Sequence, residues 1–379
     1  MNKSPGKPPF RADHVGSLLR PPSIKHARAI DGATTLNKAG FVATEALKAT
    51  EDEAITHAVS LQEEAGLKAV TDGEYRRSFW HYDFMGALTG LDLVMRAEEG
   101  VQFHGVQLPP IFPTITERLS FPEDHPMLEH FRYLASISSV TPKISIPGPS
   151  ACHFRTAIDD IAPEAYQDLD VLFADIAQVY KDAVAAFYAA GCRYLQLDDI
   201  FFAYLCDPVQ RQAKKDLGQD PDWLIEQYAL MMNTAIQDRP DDMTIAMHLC
   251  RGNFRSTWAA EGAYDPAADA VFNQTDVDVY FMEYDSERAG GLEPLRLLPK
   301  GDKRVLPGFI TTKTPELEDI DDLQRRFDEA GKYADIDQLG IAPQCGFAST
   351  EEGNDLTEDE QRKKLELVVT VAEKIWGSV

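Results

Sequence analysis

Short apolar runs alternating with long amphipathic segments are what most constrain how this chain can fold. The runs are Phe10–Gly16, Leu67–Thr71, Lys143–Pro147, Tyr194–Asp198, Thr244–His248, Val279–Met282, Arg304–Gly308 and Gln338–Ala342, eight in all. Between most of them lie segments with helical periodicity, notably Glu45–Ala65, Tyr166–Ala190, Asp222–Gln237, Asp319–Tyr333 and Glu358–Trp376. Ala65-Gly66, Ala190-Gly191 and Ala330-Gly331 mark junctions, glycine being the expected stop after a helix. Alternation of this kind predicts a parallel α/β protein, and eight strands with intervening helices predict a (β/α)8 TIM barrel. One connection, residues 84–142, is far too long for a simple strand-to-helix loop. Within it LTGLDLVMRAEEGVQFHGVQL reads as an antiparallel ribbon and ERLSFPEDHPMLEHFRYLAS as a turn and a helix. The expectation is an insertion after the second strand that walls one side of the active site. No repeat or interdomain linker interrupts the pattern, so residues 1–379 are expected to form a single TIM-barrel catalytic domain.

Charge and cysteine content then exclude several classes of function. A formal charge of −25 argues against nucleic acid or an anionic membrane as partner, since both demand cationic surface. No run approaches the ~18 apolar residues of a membrane span. The N-terminal MNKSPGKPPFRADHV has no apolar core of a secretory signal and reads as a Pro-rich lead-in. Five widely spaced cysteines without such a signal argue for reduced thiols and a cytoplasmic protein. Cys192 and Cys206 read as packed, structural thiols. A homo-oligomer is neither required nor excluded.

The barrel reading carries a test, because catalytic groups of such folds lie at the C-terminal ends of the strands. The expected strands end in Val15-Gly16-Ser17, Asp72-Gly73-Glu74, Pro147-Gly148-Pro149-Ser150 and Asp198-Asp199, then in His248 with Cys250, in Glu283 and in Cys345. Polar and unusual groups thus gather on one rim. His248 and Cys250, two apart, face the same side of extended backbone at roughly 6.5–7 Å between Cα atoms. An H-x-C pair alone is a weak signal and fits core packing as well. Two thiols, an imidazole and a carboxylate at three strand ends make a ligand set suited to tetrahedral Zn²⁺.

HLCRGNF, MEYD, APQCGF, DHVGSLLRP, TDGEYRRS and LQLDD together resemble the catalytic barrel of cobalamin-independent methionine synthase, and more closely its short, single-barrel relatives. The resemblance runs from Phe10 to Trp376. It implies zinc bound by His248, Cys250, Glu283 and Cys345, and a zinc-bound homocysteine thiolate that attacks a methyl carbon to give methionine. Glu283, the hardest ligand, is the one expected to give way when the substrate sulfur arrives. Ser17, Glu74 and Asp198 match the positions that grip homocysteine, two carboxylates facing its ammonium. Read on their own, Ser17 fits a turn, Glu74 an ion pair with Arg76 or Arg77, and Asp198 a strand-end cap. His14, one residue inside the rim, fits a substrate-orienting group or a buried, hydrogen-bonded histidine.

Departures from the long enzyme bear on the methyl donor. The family's acid histidine follows the seventh strand, where this chain has GFITTKT with Thr311 and Lys313. Lys313 could supply a proton only with a depressed pKa, and it reads also as a solvated or ion-paired lysine. The aromatic residue that stacks on folate is absent from IPGPSACHFRTA, where His153, Phe154 or Arg155 could fill the space. Trp80 and His81 fit a pocket wall or packing under the insertion. Arg20, Arg76 and Arg77 fit an anionic donor or surface pairing. Two other enzyme classes share features with this chain: epoxyalkane–coenzyme M transferase-like alkyltransferases, and metal-free uroporphyrinogen decarboxylase-like barrels. Two rim carboxylates oppose the sulfonate of the first, and the His/Cys/Glu/Cys set has no purpose in the second. A zinc- or thiol-binding protein without turnover is the non-catalytic alternative.

Overall fold

The computed structural model describes residues 7–32, 43–96 and 100–379. Residues 1–6 of the lead-in and 97–99 of the expected ribbon lie outside them. The described strands are β1 Ala69–Val70, β2 Thr89–Met95, β3 Gln102–Phe103, β4 Val106–Gln107, β5 Ile111–Ser120 and β6 Thr141–Pro142, followed by β7 Ile144–Pro147, β8 Tyr194–Asp198, β9 Thr244–Leu249, β10 Val279–Glu283, β11 Arg304–Ile310 and β12 Ala342–Pro343. Strands β7 to β12 form one parallel sheet in which each pairs with its neighbour in sequence. At one edge β1 pairs in parallel with β6, just ahead of β7. At the other a parallel bridge joins Ala12 to Ile341, just ahead of β12. The long helices Leu169–Ala189, Pro221–Ile236 and Ile320–Ala330 lie between successive strands of this sheet, as parallel pairing requires.

Period-two alternation sorts the strand residues into two layers. One parity (Ala69, Tyr194, Ala246, Val279, Phe281, Leu306, Ala342) joins Phe10 and Val15 in a small apolar cluster of its own. The other parity packs against the helices in the main core. Lys143 belongs with the small cluster: its ammonium lies 4.6 Å from the Phe281 ring centroid and donates to Asp13 at 2.8 Å, all fully buried. Carried further along β8, β9 and β10, by four residues from Tyr194 and by two from Ala246 and Phe281, the same parity delivers Asp198, His248 and Glu283. Parity alone aims these three away from the helices.

Some elements follow the sequence closely and others do not. Tyr194–Asp198 and Glu358–Trp376 have the expected bounds. Phe10–Gly16 is not a full strand: Arg11 and Asp13 exchange backbone hydrogen bonds with Ile341, and Gly16, at φ 135°, then turns the chain. The expected strand Gln338–Ala342 begins instead at Ala342, because Asp335 caps a 3₁₀ turn over Ile336–Gln338. In the insertion, β2 pairs with β5 rather than within residues 88–108, and β3 and β4 form a separate small hairpin. Glu117–Ser120, expected in a turn, are strand. Alternate burial of Ile111, Pro113 and Ile115 explains why this segment, with its apolar face, wins the pairing.

Candidate active site

Parallel register places the end of β8 beside β9, so Asp198 and His248 are direct neighbours. Asp198 Oδ1 lies 3.3 Å from His248 Nδ1 and accepts from Gln196 Nε2 at 2.7 Å. The other imidazole nitrogen, Nε2, has no hydrogen-bond partner. Cys250 follows β9 and Cys345 follows β12; their sulfurs are 3.7 Å apart. Ligand atoms of His248, Cys250 and Cys345 lie within 4.8 Å of one another, all buried. Burial opposes charge on His248, yet Cys345 and Asp198 raise it to about 10. Burial also opposes ionisation of Cys345, yet Cys250, His248 and Lys313 hold that thiol well below its ordinary value. The hydrogen bond to Cys345 and burial push Cys250 up. Two sulfurs and an orphaned imidazole nitrogen, oriented by a carboxylate behind the ring, fit a borderline cation such as Zn²⁺.

Glu283 is fully buried at the end of β10 but stands outside that group. Its Oε1 accepts from Arg288 Nε and its Oε2 from the Arg251 backbone N–H, each at 2.9 Å. Burial opposes its charge, while Lys313, Arg288 and Arg251 keep the carboxyl low. Joining the three donors would require Glu283 to give up one of these partners. Lys313 is buried rather than solvated, and its ammonium has no hydrogen-bond partner. Its charge acts on both Glu283 and Cys345.

One cleft is lined by Ser17, Glu74, Asp198, His248, Cys250 and Cys345 together. His14, Glu283 and Lys313 are not on its surface. Ser17 Oγ accepts from the Ala348 N–H at 3.3 Å. Glu74 has φ +60°, a left-handed conformation uncommon outside glycine, and its carboxylate meets Ser145 Oγ at 2.9 Å and Arg77 at 3.7 Å. Burial, with Asp198 adding to it, raises this carboxyl. The Arg77 pair expected of Glu74 is therefore present, whereas Arg76 turns to Glu51 and Asp52. Surface pairing is corrected for Arg20 and Arg77, both buried: Arg20 braces the carbonyls of Leu18, Glu74, Arg77 and Ala348, and Arg77 that of Ser145. His14 is buried beside Asp13 and Lys143; burial and Lys143 lower it to about 3.

The rest of the lining includes Phe79, Trp80, His81, Arg155, Tyr204, Asn253 and Phe254, with Phe103 and Leu108 from the insertion. Of the three residues in SACHFR that could fill this space, Arg155 does so. His153 is occupied by Tyr228 and Gln219, and Phe154 stacks on Phe201 at 4.4 Å. Sequence reasoning missed Phe79, Tyr204, Asn253, Phe254, Ser349 and Thr350 in the lining. Asn253 and Phe254 stand within HLCRGNF itself, and Ser349 and Thr350 directly follow CGFA, so proximity to the candidate ligands was the available signal.

Residues 16–374 match the model of the cobalamin-independent synthase catalytic domain. The chain belongs to that family. It is similar to the YxjH protein of Bacillus subtilis, 45% identical over 371 residues that span 98% of this chain and 96% of that one. A Listeria monocytogenes structure assigned to the vitamin-B12-independent methionine synthases superposes with a TM-score of 0.75 at 35% identity, covering 98% of this chain and all of that one. The 5-methyltetrahydropteroyltriglutamate–homocysteine methyltransferase of Herpetosiphon aurantiacus is 25% identical over 88% of this chain but only 39% of its own, longer one. The protein is an enzyme, a methyltransferase of the cobalamin-independent methionine synthase type. No described helix is long and apolar enough to cross a membrane.

Proposed function

We propose that this enzyme methylates the thiol of homocysteine to form methionine, with Zn²⁺ held by His248, Cys250 and Cys345 and with Glu283 as an exchangeable fourth ligand. One observation carries the reading: the three buried donors, with Asp198 behind the histidine, open into the same cleft as Ser17 and Glu74. A zinc ion held there would supply the charge that lowers the pKa of a substrate thiol, making it a nucleophile at neutral pH. Glu74 and Asp198 hold the substrate ammonium, which stabilises both carboxylates in their charged form. The Ser17 hydroxyl and adjacent amides receive the substrate carboxylate. The same two carboxylates repel a sulfonate, against a coenzyme M-type thiol. Arg288 and Arg251 hold the Glu283 carboxylate beside the site. Lys313, absent from the cleft surface, balances the charge of Glu283 and Cys345 rather than protonating a leaving group.

In this reading the six-stranded sheet, the β1–β6 pair and residues 10–16 close into a (β/α)8 barrel. Residues 84–142 are an insertion within one catalytic domain. Support comes from the small apolar cluster, to which the segments around the ring contribute. Five free, buried cysteines favour a reducing, cytoplasmic setting.

Zinc content and methyl transfer test the proposal together. Elemental analysis of protein purified without chelator is expected to give about one zinc per chain, as for a site of this donor set. Cys345→Ser is expected to lose most of that zinc and the transfer to homocysteine with it. Full activity in a zinc-free Cys345→Ser protein would overturn the proposal.

A further inference from the structure

The aromatic part of the cleft lining has a chemical character of its own. Phe79, Trp80, Phe103, Tyr204 and Phe254 contribute five aromatic rings to it. Arg155 is half-buried among them, its guanidinium 5.2 Å from the Phe201 ring centroid and 5.7 Å from that of Tyr204. Its Nε has no hydrogen-bond partner, and no carboxylate among the described residues pairs with it. An arginine with no carboxylate partner among the described residues is notable in a chain of net charge −25. Beside it His81 is fully buried, stacked on Trp80 at 4.3 Å, with neither ring nitrogen bonded. Buried polar atoms left unpaired in this way are costly unless a ligand or water meets them.

We propose that this wall binds the methyl donor, and that the donor is a small zwitterion with its methyl on a sulfonium or quaternary ammonium centre and a carboxylate a few bonds away. The inference rests on the thiol-methylation reading above. Aromatic faces attract onium methyl groups by cation–π interaction, and Arg155 supplies the matching site for the carboxylate. Proton chemistry favours the same class. Burial and Arg155 keep His81 neutral, burial pushes the Tyr204 hydroxyl up, and Lys313 is not on the cleft surface. This wall therefore offers no proton to a leaving nitrogen that needs one. An onium donor needs none: the thiolate sulfur forms the new bond to the methyl carbon, the old carbon–heteroatom pair stays with the heteroatom, and the donor departs neutral at that atom. The acceptor's thiol proton goes to solvent. Phe103 and Leu108 from the insertion line the same compartment.

The test uses the zinc-loaded enzyme with homocysteine and three methyl donors: dimethylsulfonioacetate, trimethylsulfonium, which lacks the carboxylate, and 5-methyltetrahydrofolate. Methionine is expected from dimethylsulfonioacetate, with a kcat/KM roughly tenfold to a hundredfold above that for trimethylsulfonium, the range of a charge-assisted hydrogen bond. Arg155→Leu is expected to erase that preference while leaving the KM for homocysteine unchanged. The wild-type comparison of the two sulfonium donors stands even if the variant does not fold. Equal use of both, or loss of both alike in Arg155→Leu, would overturn the role of Arg155. Methionine from 5-methyltetrahydrofolate alone would overturn the donor class while leaving homocysteine methylation standing. Failure to bind homocysteine at all would remove both.

Discussion

Asp198 has two neighbours that ask different things of it. It accepts from the His248 imidazole, and it lines the cleft facing Glu74. A hydrogen bond to the ring needs only an oxygen acceptor, whereas holding an ammonium needs charge. Asp198→Asn keeps the first and loses the second, so it is expected to raise the KM for homocysteine while zinc stays bound. Asp198→Ala loses both, and is expected to weaken zinc binding by about 10–100-fold as well. Zinc titration of the two variants beside their homocysteine KM values separates the jobs; equal zinc affinity in both would deny Asp198 any role in orienting His248. Glu74 poses a related question of geometry. Its left-handed backbone costs of order 1–3 kcal/mol, which the surrounding bonds to Asp72, Ser145 and Arg77 must hold in place.

At the scale of elements, the site depends on how closely the chain past β12 approaches the loop after residue 16. Gly346 packs so tightly there that a Cβ would lie 1.9 Å from Ser17 Oγ and 3.2 Å from the Ser17 nitrogen. The Phe347 N–H also donates to the Ser17 carbonyl at 2.9 Å, tying the two segments together. Gly346→Ala is therefore expected to displace Ser17 and lower kcat/KM for homocysteine at least tenfold, a loss on the scale of one misplaced substrate contact. Cys345 is next in the chain, so zinc content must be measured alongside; a fully active Gly346→Ala enzyme would show that Ser17 has no part in substrate binding. The insertion works through the β3–β4 hairpin. Phe103 meets Phe254 edge-on at 5.7 Å and the His104 N–H bonds the Trp258 carbonyl, which fixes the hairpin against the loop after Cys250.

The molecule as a whole carries buried histidines that tie its stability to pH. Burial is the leading cause in each case: His14 and His153 fall to about 3, His125 to about 4, and His81 well below its ordinary value. A base lowered on folding takes up its proton more readily in the unfolded chain, where its pKa is about 6.5. Stability from these groups is complete above that value and is lost as pH falls through it. Three groups oppose the trend: His248, raised against its burial by Cys345 and Asp198 to about 10, Asp199, raised by burial to about 7, and Glu74, also raised by burial, all gain folded-state protons as pH falls. The four lowered imidazoles outnumber these three groups, so the melting temperature is expected to drop between about pH 8 and about pH 5. A flat or rising melting temperature over that window would mean that the three opposing groups dominate.

Much of this was legible from residue order alone, because the signals were local. Apolar runs separated by helix-length amphipathic segments specify parallel strands, and two-residue periodicity puts His248 and Cys250 on one side of β9. Turn residues and strand ends likewise flagged Ser17, Glu74, Asp198 and Cys345. Tertiary structure decided what depends on partners distant in sequence. It paired β2 with β5 across the insertion, set Arg155 rather than His153 or Phe154 on the donor wall, and turned Glu283 toward Arg288 and Arg251. It also buried Lys313 and made Asp198 the partner of the His248 ring. In each case the outcome rests on competition among long-range hydrogen bonds and burial, and sequence spacing carries no record of which competitor wins.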